Sequence, residues 1–166
     1  INVEELYEIT HSIVSKLRAK SDVLTYVSFL KEHDEYTYSH SSNVALLSNM
    51  FASWLDLDES ETANLTTAGL LHDIGKLKIP LEILNKKGRL TNEEFDVMKN
   101  HTVVGYRLLQ NQNIPEDMKL AALMHHERID GSGYPIGAKD KQINKYAKII
   151  AICDIYDAMT ANRVYR

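Results

Sequence analysis

The chain has 166 residues, 44% hydrophobic and 25% charged, with 7 Gly, 3 Pro and one Cys, a make-up that fits one globular domain and excludes a disulfide framework or a Cys-rich zinc module. Its formal net charge of −4 excludes a global basic field for a nucleic-acid polymer, so any phosphate must be held by a local cluster. No apolar run approaches the ~20 residues that span a bilayer, and residues 1–20 are amphipathic rather than signal-like; no membrane segment and a cytoplasmic location are therefore expected, and the start at Ile1 suggests a fragment of a longer protein.

Apolar residues recur with a 3.6-residue period nearly throughout, without strand-like alternation, which predicts an all-α helical bundle. One domain over 1–166 is expected, with residues 3–32 forming one or two amphipathic helices as a lead-in to a core over 34–166. Asp34 or Thr37 caps a helix carrying Val44, Leu47, Phe51 and Leu55. The next helix opens at Asp58 or Ser60 and runs to about Asp73, with Gly75 and Pro80 as stop signals. Beyond a loop with Lys86, Lys87, Gly88 and Arg89, Thr91-Asn92-Glu93-Glu94 reads as a capping box before a helix from about Asn92 to Gln110. Pro115 starts a helix that ends near Glu127, because Asp130-Gly131-Ser132-Gly133-Tyr134-Pro135 cannot continue it and forms an ordered loop. The final helix, about Ile143 to Thr160, is apolar almost all round and is expected to be central and buried.

The informative residues interrupt the apolar stripes. His40 lies four before Val44; His72 shares a face with Leu65 and Ala68, with Asp73 beside it; His101 falls with Met98, Gly105 and Leu108; His125 with Met118 and Ala122; Asp154 with Ala147, Ile150 and Ala158. Singly, each is explained as a hydrogen-bonded core histidine or an ion-paired acid. As a set they are not, because burying these imidazoles and carboxylates uncompensated costs several kcal/mol each, whereas divalent cations satisfy all of them together. Nitrogen and hard-oxygen donors without thiolate suit iron, manganese, zinc, nickel or cobalt. Neighbours on a helix point about 100° apart, so His72 and Asp73 can reach one ion while the second oxygen of Asp73 reaches another. The expected split is His40, His72, Asp73 and Asp154 on one ion, and Asp73, His101, His125 and His126 on a second, about 3.5–4 Å away, a pair that activates a bridging hydroxide.

These residues resemble the HD superfamily of metal-dependent phosphohydrolases, in its HD-GYP branch. His72-Asp73-Ile74-Gly75-Lys76 matches the HDIGK core, and His125-His126-Glu127-Arg128-Ile129-Asp130-Gly131-Ser132-Gly133-Tyr134-Pro135 carries the HHExxDGxGYP signature. Asp34-x-Tyr36-Thr37-x-x-His40-Ser41, His101-x-x-x-Gly105, Asp154-x-Tyr156-Asp157-Ala158-Met159-Thr160 and Arg163-x-Tyr165-Arg166 follow the family order. The resemblance implies a helical-bundle phosphodiesterase that hydrolyses cyclic di-GMP to pGpG and, in some members, on to GMP; some relatives prefer the mixed cyclic GMP–AMP. It implies two divalent ions, iron or manganese foremost, on His40, His72, Asp73, His101, His125, His126 and Asp154. Where some members place a Glu for a third ion, this chain has Tyr36. Relatives continue into further helices, so C-terminal helices beyond Arg166 are expected to be missing.

Asp73 and Lys76 are the candidate catalytic residues. Lys76 either holds a non-bridging phosphate oxygen or merely complements a helix C-terminus. Candidate substrate contacts are Lys76, Arg128, Asp130, Gly133 and Tyr134, the tyrosine stacking on a guanine. The loop that carries the last three is alternatively a structural turn, or a docking surface for a diguanylate cyclase partner, as the family suggests. Arg128 and Asp157 are expected to pair beneath the site, with Asp157 orienting a ligand. Arg163 and Arg166 meet a phosphate or cap the last helix. Lys78, Lys86, Lys87 and Arg89 form a solvated loop or a second phosphate site. A non-catalytic cyclic-dinucleotide-binding module and a generic HD nucleotidase or phosphatase remain the competing readings.

Overall fold

Side-chain caps decide where the helices begin. In this computed structural model, which describes residues 27, 28, 31, 32 and 34–160, Asp34 is the N-cap of α1 (Glu35–Trp54), accepting from the Tyr36 amide and from the Thr37 hydroxyl. Asp58 caps α2 (Glu59–Leu71) by accepting from the Glu61 amide, and Thr91 with Glu94 forms the expected reciprocal box at the head of α4 (Asn92–Lys99). Between them lie a 3-10 turn, Ile74–Lys78, and the single-turn α3 (Leu81–Leu84). Helices α5 (His101–Gln110) and α6 (Glu116–Met124), a second 3-10 turn (Asp140–Gln142) and α7 (Lys145–Thr160) complete the described elements, which include no strand. The lead-in helices expected over 3–32 lie almost wholly outside the described residues, as do Arg163 and Arg166.

The core forms where α1, α2, α6 and α7 meet: α2 packs on α1, α6 and α7, while α5 packs on α6 and on the 3-10 turn. Every residue of α2 from Leu65 to Leu71 is buried. The central position expected for the last helix therefore belongs to α2. Helix α7 buries Tyr146, Ala147, Ile149, Ile150 and Cys153 but leaves Ile152, Ile155, Tyr156 and Met159 exposed. Composition read as uniformly apolar conceals this one-sided packing.

Gly75 fixes how closely α5 approaches the turn. A Cβ there would lie 1.9 Å from the His101 carbonyl oxygen and 2.6 Å from the Gly105 nitrogen, both backbone atoms that cannot rotate away. Gly75→Ala is expected to destabilise the fold by about 1–3 kcal/mol and to displace His101; denaturant unfolding checks the first effect and metal content the second.

Candidate metal centre

Three of the histidines sit where a helix ends. A helix terminus leaves backbone carbonyls without intrahelical partners, and each imidazole folds back on one three residues earlier. His72, just after α2, donates from Nδ1 to the Gly69 carbonyl (2.7 Å); His101, just after α4, to Met98 (2.7 Å); His125, just after α6, to Ala122 (3.0 Å). The fourth, His40, lies within α1 and puts Nδ1 against Asp157 Oδ2 (2.7 Å), whose other oxygen accepts from Asn43 (2.9 Å). A carbonyl oxygen can only accept, so Nδ1 carries the proton in the first three, and Nε2 is left to face the interior.

All four Nε2 atoms converge on Asp73. Its Oδ2 lies 3.4 Å from His72 and 3.8 Å from His40; its Oδ1 lies 3.3 Å from His101 and 3.7 Å from His125. Each carboxylate oxygen thus faces its own pair of imidazoles. Asp154 closes the first group with Oδ1 3.1 Å from His40 Nε2, and its Oδ2 stands 4.0 Å from His126 Nδ1. His126 completes the second group, its ring 4.1 Å from that of His125 and 5.1 Å from that of His101. The two sets, His40, His72 and Asp73 on one side and Asp73, His101, His125 and His126 on the other, each hold donor atoms close enough to share one ion.

The electrostatics favour a cation at both. Burial holds His125 neutral, well below the usual imidazole range, helped by His126, His72 and His101; burial and His101 bring His126 down to about 3. Burial also opposes ionisation of Asp73, yet Lys76, His72 and His101 outweigh it and keep the carboxyl charged far below its usual range. Asp154 is likewise lowered against its burial, chiefly by His40. His40 is raised against its burial by Asp154, Asp73 and Asp157. At the middle, His72 Nε2 and Asp73 Oδ1 are fully buried without a hydrogen-bond partner. Two buried lone-pair atoms without a hydrogen-bond partner, set among imidazole nitrogens and carboxylate oxygens close enough to share an ion, form a donor set that fits divalent transition ions.

Lys76 reaches back from the 3-10 turn to place Nζ 2.5 Å from Asp73 Oδ2. Burial would lower it, but Asp73, Asp154 and Asp34 overcome that and keep the ammonium charged. The pairing expected between Arg128 and Asp157 is absent. Arg128 is exposed and reaches only its neighbour's carbonyl, 3.4 Å away, while Asp157 is engaged by His40 and Asn43. The expectation that Asp157 orients a ligand agrees with its contact to His40, and Asp157→Asn is expected to weaken metal affinity about 10–100-fold, measured by metal titration. In the basic loop, Lys86 is bound by both Glu94 oxygens at 2.6 and 2.7 Å.

The loop after α6 is organised by a residue to which the motif alone gave no role. Glu127 is buried, and its carboxylate accepts from the amides of Ile136 (2.7 Å), Gly137 (3.2 Å) and Ala138 (2.9 Å), closing the loop at its neck. Gly133 lies against that neck, where a Cβ would meet the Arg128 nitrogen and Glu127 Cα at 2.4 Å. An unbroken motif spacing was the only sequence signal for this. Asp130, exposed, uses Oδ1 to accept from the Ser132 amide and hydroxyl. Tyr134 stacks on His126, centroids 4.8 Å apart and planes 28° apart, so one face of the ring supports a candidate ligand.

The HD domain family matches residues 24–166. The chain is 43% identical over 153 residues to the protein named cyclic di-GMP phosphodiesterase PA4108 of Pseudomonas aeruginosa, covering 92% of this chain and 37% of that one. It is 42% identical over 149 residues to a cyclic di-GMP phosphodiesterase of Thermotoga maritima, covering 87% and 40%. The chain thus spans well under half the length of these curated relatives. Bd1817, an HDG"Y"P protein from Bdellovibrio bacteriovorus, shares the fold with a TM-score of 0.66 at 23% identity, over 95% of this chain and 53% of that one.

Proposed function

The chain belongs to the HD domain family and bears the HD-GYP signature, and from that premise we propose that it hydrolyses a cyclic dinucleotide, cyclic di-GMP foremost, to the linear pGpG. The observation that carries this reading is the convergence of four imidazole Nε2 atoms on the two oxygens of one buried aspartate, with His72 Nε2 and Asp73 Oδ1 left unpartnered. Two divalent ions would be held by His40, His72, Asp73 and Asp154, and by Asp73, His101, His125 and His126. When bound, such ions supply the Lewis acidity and acidified water that attack on a phosphodiester requires at neutral pH.

The protein's own groups prepare the site. Asp157 and the three backbone carbonyls fix the imidazole orientations, so no rotamer search precedes binding. Lys76 Nζ, charged and 2.5 Å from Asp73, stands where it can donate to a non-bridging phosphoryl oxygen as negative charge grows there. Glu127 and Gly133 keep the loop closed beside His126, and burial around His72, His101 and His125 excludes water from the far wall. Among the described residues no helix is long and apolar enough to cross a membrane.

The test is to incubate Mn²⁺-loaded protein separately with cyclic di-GMP, with cyclic GMP–AMP and with GMP and to resolve the products. Linear dinucleotide is expected. Intact ligand retained on the protein would mark a binding module, and cleavage of mononucleotides alone would mark a nucleotidase.

A further inference from the structure

Helix α4 buries none of its residues, so its aromatic side chain is not there to fill the core. Phe95 is 46% exposed and meets Tyr134 edge to face, with centroids 6.2 Å apart and planes 82° apart. Tyr134 in turn stacks on His126. One turn along α4, Lys99 places Nζ 5.3 Å from the Phe95 ring centre and 6.0 Å from that of Tyr134, while pairing with Asp96 at 2.7 Å on the surface. A line of rings therefore runs from a candidate metal ligand outward to a solvent-facing ring with a cation beside it. The inner ring has given one face to His126, and the Lys99 ammonium lies over the Phe95 ring, so the solvent-exposed part of Phe95 is the stacking surface open to a ligand.

This arrangement matches a nucleotide whose phosphate sits at the metal centre. Its base would lie outward, where an aromatic face offers stacking without regard to hydrogen-bond pattern, and the neighbouring ammonium would meet the sugar–phosphate backbone. We propose that Phe95, with Lys99 beside it, is a platform on which one purine base of the substrate stacks outside the metal centre. This rests on the reading of the site as a cyclic-dinucleotide hydrolase.

The experiment compares the binding of GMP and of ribose 5-phosphate to Mn²⁺-loaded protein by calorimetry, in the wild type, Phe95→Ala and Phe95→Trp, with cyclic di-GMP turnover measured on the same samples. GMP is expected to bind the wild type about tenfold or more tighter than the base-less sugar phosphate. Phe95→Ala should shrink that gap to roughly twofold or less, Phe95→Trp should keep it, and ribose 5-phosphate affinity and metal content should not change. In turnover, Phe95→Ala should raise KM by a similar factor and leave kcat alone. A gap absent from the wild type, or one that survives in Phe95→Ala, overturns the platform. If the gap follows Phe95 while cyclic di-GMP stays uncleaved, the platform stands and the proposed reaction falls; if cleavage proceeds and the gap ignores Phe95, the reverse holds.

Discussion

Asp73→Ala is expected to lose both ions and all detectable hydrolysis while the helices remain. The reason is geometric: Oδ2 faces His40 and His72, Oδ1 faces His101 and His125, and no other carboxylate among the described residues lies between the two imidazole pairs. Removing one side chain therefore breaks two ligand sets. Asp154 cannot compensate, since of the two imidazole pairs it meets only His40, and it reaches neither His101 nor His125, which face Asp73 Oδ1. Metal content by elemental analysis, product formation and far-UV circular dichroism on the same sample check the expectation. Retention of two ions with normal turnover would show that Asp73 is not the shared ligand.

Lys76→Met is expected to lower kcat by about 10²–10³-fold, the usual effect of deleting one donor to developing negative charge, with metal content unchanged. The ammonium contacts Asp73 without belonging to either ligand set, so its loss should separate turnover from metal retention. Lys76→Arg should recover little, because a planar guanidinium cannot take the place of a compact ammonium 2.5 Å from one carboxylate oxygen. If activity and metal disappeared together, the role of Lys76 would instead be to hold Asp73.

The inward polar set was legible from helical periodicity because His40, His72, His101, His125 and Asp154 fall on apolar stripes, with Asp73 beside His72. What periodicity could not show is where helices stop. The spacing carries α2 through Asp73, joins α4 and α5 into one helix over 92–110, and extends α6 to Glu127. The structure ends the hydrogen-bond ladder at Leu71, Lys99 and Met124. His72, Asn100 and His125 keep helical backbone angles, so the stripe continues past the last helical residue. In each case the following histidine side chain takes a carbonyl that the next turn would have used. The exposed face of α7 was hidden for a different cause: an apolar residue does not declare which neighbour covers it. Glu127 was invisible as an anchor because its partners are backbone amides nine to eleven residues away, with no side-chain signature.

The central claim is that one aspartate joins two cation sites. Its most direct test is the stoichiometry of protein saturated with Mn²⁺ under anaerobic conditions and then desalted. Close to two ions per chain in the wild type, with both lost in Asp73→Ala, is the predicted result. A wild type that saturates at one ion, or an Asp73→Ala variant that still holds two, would contradict it.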